Sequence, residues 1–259
     1  NPFLVWPKDD WTRVTPFFKV AFEATFRGRF FFIIELIQER EEKNMKNKLV
    51  ELVFILDRSG SMAGLEKETI GGYNSMIEKQ KKEEGEALVT TVLFDHKYER
   101  ISYRTPINEV KPLTDKDYYP RGMTALLDAI GRTIEKIVLE HKKEDEKKPG
   151  KTIFVITTDG LENASENFNY STIKEMITYE ERAFGWEFIF LGANFDVFSV
   201  TDKLGIRRQR AARYSRSRQG VDINYIELST TIGRMRKGET VEDEWKEDID
   251  ALYKKEGDK

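Results

Sequence analysis

From Lys48 onward the apolar positions fall into two alternating regimes. Short, almost continuous apolar runs occur at Leu49–Leu56, Ala87–Phe94, Thr152–Thr157 and Trp186–Gly192, with a shorter one at Ala211–Ser215. The first, fourth and fifth strands in chain order are nearly all apolar, as strands buried on both faces should be. Tyr98–Thr105 (YERISYRT) alternates instead, which predicts an edge strand, and the tight link Asp95-His96-Lys97 predicts that it pairs antiparallel with its predecessor. Between these runs the period lengthens to that of a helix, over Glu66–Glu84, Thr124–Lys142, Ser171–Phe184, Val197–Leu204 and Asp222–Arg236. In the second of these, Leu126, Leu127, Ile130, Ile134, Ile137 and Val138 recur at helical spacing. Gly85, Gly185 and Gly205 each follow a helical run, as stop signals do. The alternation predicts an α/β fold: a doubly wound, mostly parallel sheet with one antiparallel edge strand and helices on both faces.

Both ends of the chain depart from this pattern. Residues 1–44 are rich in Phe and Arg without a clear period, which makes poor material for a cooperative element. The first methionine is Met45, and MKNKLVELVFILDRSGSM runs from it straight into the first strand. Arg40-Glu41-Glu42 is encodable as a purine-rich ribosome-binding sequence just upstream of that codon. These features predict residues 1–44 to be an extension, non-native or disordered, translated from upstream sequence; the alternative is a genuine N-terminal arm. Residues 45–238 then form the domain. Residues 239–259 form a charged tail that fits one amphipathic helix presenting Trp245, Ile249, Leu252 and Tyr253, packed on the domain or on a partner. His141–Lys151 (HKKEDEKKPGK) reads as a solvated connection, with His141 at the surface.

Composition narrows the chemistry. There is no cysteine among the 259 residues, so disulfides and thiolate metal sites are excluded, and the chain fits a reducing compartment. A net charge of −3 gives the whole molecule no electrostatic case for nucleic acid. The apolar run Phe30–Leu36 is too short to span a bilayer and is interrupted by Glu35. With no secretory signal visible, the sites at Asn163 and Asn169 that match the glycosylation pattern carry no meaning. A cytoplasmic location is expected. No phosphate-binding glycine loop is present, so nucleotide binding has no support.

The polar residues at the strand ends carry the signal. Asp57, Ser59 and Ser61 close the first apolar run (LVFILDRSGSM), Thr124 lies in RGMTALLDAIG, and Asp159 closes KTIFVITTDG. Two carboxylates and three hydroxyls from three loops form an oxygen set suited to a hard divalent cation, Mg2+ or Mn2+. Ligands of an open parallel sheet bind beyond the carboxyl ends of its strands, where the strand order reverses. Asp57 and Asp159 would flank that crevice if their strands are neighbours. The set resembles, residue for residue, the metal-ion-dependent adhesion site of von Willebrand factor A domains, over about Val50 to Ile232. ELVFILDRSGSM, RGMTALLDAIG and FVITTDGLENAS look particularly like the small stand-alone bacterial proteins of that family. The resemblance implies that Ser59 and Ser61 touch the metal, that Asp57 and Asp159 act mostly through water or hydrogen bonds, and that Thr124 binds directly or through water. It also implies a protein-binding module in which a partner's Asp or Glu completes the metal shell.

Other features are weighed against this. Glu162 and Asn163 either support the site or cap the following helix. Asp95 lies near the same rim or serves the hairpin turn. Arg207–Arg218 has an RNA-like composition, yet it falls where the fold needs its last strand, and a solvated face is expected. His96 and His141 join no catalytic set, and no catalytic residue is assigned. Alternatives to the binding module are a Mg2+-dependent hydrolase with Asp57 as nucleophile, which needs a further general acid or base and a phosphate cradle, and an adaptor to an ATPase complex.

Overall fold

The computed structural model describes residues 49–143, 148–193 and 195–256. The readings of residues 1–44 and of the Phe30–Leu36 run fall outside them. Among the described residues six strands form one sheet: β1 (Val50–Asp57), β2 (Ala87–Phe94), β3 (Tyr98–Pro106), β4 (Lys151–Thr158), β5 (Glu187–Gly192) and β6 (Ala211–Arg213). Their order is β3-β2-β1-β4-β5-β6, parallel except for β3, which runs antiparallel to β2 at one edge. Six helices accompany them: α1 (Glu66–Gln80), α2 (Leu126–Lys143), α3 (Tyr170–Phe184), α4 (Val197–Leu204), α5 (Arg218–Arg236) and α6 (Glu247–Glu256). No helix of the described residues is long and apolar enough to cross a membrane.

Every residue of β1 is buried, because β1 lies mid-sheet with helices over both faces. Successive strand side chains point to opposite faces, so one strand feeds two cores. Leu52, Phe54 and Leu56 join Tyr73 and Met76 of α1 and Tyr225, Leu228 and Ile232 of α5. Val53 and Ile55 join Ile130 and Ile134 of α2, Ile173 and Ile177 of α3, and Leu204 of α4. The α1–α5 contact is close because Gly72 carries no side chain. A methyl there would lie 2.2 Å from Cδ2 of the buried Tyr225. Gly72→Ala is therefore expected to destabilise the fold by ~1–3 kcal/mol, as overpacking does, read as a fall in the denaturation midpoint. An unchanged midpoint would mean that the two helices separate freely.

The tail packs against the same sheet. Val241, Trp245 and Ile249 enter the first core, Trp245 Nε1 donates to the Gln209 carbonyl at 2.8 Å, and Lys246 Nζ donates to the Arg208 carbonyl at 2.8 Å.

Three sequence readings are corrected. Helix α1 stops at Gln80 rather than Glu84, and Gly85, at φ +90°, turns the following loop instead of capping the helix. Helix α5 begins at Arg218 rather than Asp222, capped by Ser217, whose hydroxyl accepts from Gly220 N. His141 is buried rather than at the surface. It extends the inward stripe of Ile130, Ile134 and Ile137 by one more turn of α2, and its Nε2 lies 2.6 Å from Oε2 of Glu51. Glu51, fully buried in β1, also accepts from Arg104 Nε at 3.0 Å. Helical periodicity outweighs the charged composition around His141.

Candidate metal centre

Strands β1 and β4 are neighbours, with Leu56 opposite Thr157. From β1 the chain crosses to β2 on one side, while β4, β5 and β6 follow on the other, so the order reverses between β1 and β4. Asp57 ends β1 and Asp159 directly follows β4, which sets both carboxylates at this switch point.

The loop after β1 is shaped by Asp57 itself. Its Oδ1 accepts from Ser59 N at 2.6 Å, folding the chain back on its own side chain, and its Oδ2 accepts from Thr158 Oγ1 at 2.6 Å. A 3-10 turn over Gly60–Met62 follows, pinned by the buried Met62 and reversed at Gly64, where φ is +90°. Alternation then divides the side chains. Ser59 and Ser61 meet with their hydroxyls 3.0 Å apart, while Arg58 points away and is fully buried. Arg58 Nε donates to Asp95 Oδ2 at 3.1 Å and its Nη1 to the Asp117 carbonyl at 3.1 Å. The side chain thus bolts the loop to the β2–β3 hairpin. The D-R-S alternation was the available sign of this inward-facing arginine.

Backbone bonds stitch the three loops together. Gly60 N donates to the Gly122 carbonyl at 3.2 Å, and Ala125 N to the Asp95 carbonyl at 2.9 Å. Thr124 N donates to Asn163 Oδ1 at 2.9 Å, while Asn163 N donates to the Thr124 carbonyl at 3.0 Å. Asn163 thus sets the position of Thr124. Glu162 caps the preceding helix rather than the following one, since its Oε2 accepts from Leu127 N in the first turn of α2 at 2.9 Å. A carboxylate there also complements the positive end of the helix dipole. Asn169, the other asparagine of the glycosylation pattern, caps α3 by accepting from Thr172 N at 3.0 Å. Asp95 serves both suggested roles: Oδ1 accepts from Lys97 N in the hairpin turn, and Oδ2 takes Arg58 and Arg121. Burial works against its charge, but the Arg121 and Lys97 hydrogen bonds and both guanidinium charges hold its carboxyl below the usual range.

The hydroxyls of Ser59, Ser61 and Thr124 face one small space beside Gly160. A methyl on Gly160 would lie 2.9 Å from Thr124 Oγ1, 3.1 Å from Ser61 Oγ and 3.6 Å from Ser59 Oγ. Asp57, Ser59, Thr124 and Asp159 are buried, and Ser61 opens the space to solvent. Oδ1 of Asp159 is buried without a hydrogen-bond partner, an arrangement that costs free energy unless something else satisfies the oxygen. Burial also pushes the Asp57 carboxyl up to about 6, against the pull of the Thr158 and Ser59 hydrogen bonds. Asp159 is raised as well, by burial first, with Ser61 and the Arg216 guanidinium pulling the other way. Two carboxylates held near each other at such a cost suit a cation. No group of three or more His, Asp or Glu converges among the described residues. The donor set is rich in neutral hydroxyls, which fits a hard ion such as Mg2+ or Mn2+ better than a softer one.

One residue of the site was missed. Arg216 follows β6, in the stretch expected to be a solvated face. Its Nε donates to Asp159 Oδ2 at 3.0 Å, and its Nη2 donates to the carbonyls of Ser61 and Ala63. Arg210 of the same stretch is buried, with Nε on Glu187 at 2.8 Å and Nη1 on the Val241 carbonyl at 2.6 Å. The stretch is thus divided by structural position, and its composition says nothing of that division.

No protein-family model matches the chain. No curated protein matches it either. Solved structures do share its fold. The PilB minor pilin from Streptococcus sanguinis is 14% identical, with 73% of this chain and 62% of the pilin covered, at a TM-score of 0.50. The von Willebrand factor domain of the pili tip protein Mfa5 from Porphyromonas gingivalis is 11% identical over 76% of this chain and 99% of that domain, at 0.49. Proximal thread matrix protein 1 from the mussel byssus is 11% identical over 71% of this chain, at 0.49, and this chain spans 46% of its length. The six-stranded, mostly parallel sheet with one antiparallel edge and helices on both faces is the von Willebrand factor A type of α/β fold.

Proposed function

We propose that the domain is a divalent-metal-dependent protein-binding module, in which Asp57, Ser59, Ser61, Thr124 and Asp159 hold Mg2+ or Mn2+ and a partner supplies an Asp or Glu side chain to the ion. One observation carries this reading: three hydroxyls from two loops surround a single small space at Gly160, and Asp159, the residue before it, holds a buried Oδ1 without a hydrogen-bond partner. An ion held mainly by neutral hydroxyls keeps much of its charge and so attracts an external carboxylate. The surroundings suit a protein surface. Tyr119, Met123 and Leu161, on the loops that carry the site, are 43%, 56% and 57% exposed, so the partner's acidic residue is expected to have apolar neighbours. The hydrolase reading has less support, because Asp57 is 1% exposed and the sequence supplies neither a further general acid or base nor a phosphate cradle.

Two experiments test the proposal. Peptides selected from a random display library in Mg2+ should carry Asp or Glu at one fixed position and should elute in EDTA. Selection without acidic enrichment, or retention in chelator, would overturn it. Gly160→Ala places a methyl among the three hydroxyls, at a position whose backbone tolerates alanine. It should abolish Mg2+ binding in a calorimetric titration while leaving the circular dichroism spectrum intact; undiminished binding would remove the cradle from the account.

A further inference from the structure

Resting on that reading of the metal site, we infer that Arg216 is a resident counter-ion that competes with the divalent cation and thereby sets the affinity of the site for metal. Its guanidinium joins Asp159 after β4 to the carbonyls of Ser61 and Ala63 after β1, so it spans two of the loops that carry proposed metal oxygens. It also takes up Oδ2 of Asp159, while the other carboxyl oxygen, Oδ1, is buried without a hydrogen-bond partner. A divalent ion and a guanidinium on one carboxylate repel each other, so the ion enters against Arg216 or displaces it. Arginine keeps its charge at any pH the protein survives, so acidity does not relieve the competition.

The backbone under Arg216 is fixed, which makes the contact a built feature. Tyr214 before it is buried. Ser217 Oγ donates to Glu256 Oε2 of α6 at 2.7 Å, and Ser215 Oγ donates to the same oxygen. Gly220 passes so close that a methyl on it would lie 2.0 Å from the Ser215 carbonyl oxygen. The side chain itself is 31% exposed, so it has room to swing outward when it leaves Asp159.

The test is a calorimetric titration of MnCl2, at constant ionic strength, into the wild-type chain, Arg216→Gln and Arg216→Lys. Arg216→Gln should bind Mn2+ about tenfold more tightly than wild type, since a charge a few ångströms away is removed from a partly shielded site. Arg216→Lys, which keeps the charge but lacks the fork, should fall between them. A residue that merely braced the loop would leave affinity unchanged or weaken it on removal, and either result overturns the inference while the metal site stands. Absence of Mn2+ binding in all three proteins overturns the metal site itself.

Discussion

Asp57→Asn is expected to make the metal-free protein more stable at pH 7.5 while removing its response to Mg2+. Burial raises the Asp57 carboxyl to about 6 from an ordinary 3.8, the first cause ahead of the opposing hydrogen bonds. The fold therefore prefers the neutral form. The stability this group contributes is fully present below its unfolded value and is lost as pH rises through about 6, so at neutral pH the charged form strains the fold. A shift of this size corresponds to ~2–3 kcal/mol. Asparagine keeps an oxygen for Ser59 N, and the Thr158 hydroxyl can rotate to accept from the new amide. Chemical denaturation in EDTA should show a gain of ~2 kcal/mol, and addition of MgCl2 should raise the midpoint of the wild type alone. A variant less stable than wild type in EDTA would show that the Asp57 charge is already compensated without metal.

The largest loss is expected from Glu51→Leu, at the opposite end of β1. The carboxylate is fully buried and accepts from both Arg104 Nε at 3.0 Å and His141 Nε2 at 2.6 Å. A leucine fills the volume but sets hydrocarbon against a guanidinium whose side chain is 9% exposed. Removing one partner of a buried ion pair costs ~3–5 kcal/mol, far more than the pair itself contributes over apolar replacements. The denaturation midpoint should fall accordingly. A loss below ~1 kcal/mol would mean that water reaches Arg104 and replaces the carboxylate. Metal binding by the surviving folded fraction should be unaltered, which separates this effect from that of Asp57→Asn.

The two residues illustrate what the sequence made legible. Strand β1 was readable because burial on both faces leaves a nearly continuous apolar run, and Asp57 stood out as the polar residue that ends it. Asp159 was readable for the same reason, since it follows the apolar run of β4, and Thr124 because it stands just before a helix whose periodicity is strong. Glu51 and His141 were not, since a buried pair of hydrogen-bonded polar side chains has the composition of a surface. His141 had one sign, its place on the stripe of α2, and the charged residues after it hid that sign. Arg216 was hidden in a different way. Six arginines between positions 207 and 218 look alike in composition, and only the strand β6, three residues long, decides which face each one takes. Glu162 shows the limit of local reasoning, because the backbone N–H it caps lies 35 residues earlier in the chain.

Diffraction from crystals soaked in MnCl2, collected above and below the manganese absorption edge, tests the centre of the account most directly. The expected result is one anomalous peak among the hydroxyls of Ser59, Ser61 and Thr124 and beside Oδ1 of Asp159, with the Arg216 guanidinium moved off Asp159 or the peak only partly occupied. Well-ordered side chains at those positions with no anomalous signal between them, at millimolar manganese, would contradict it.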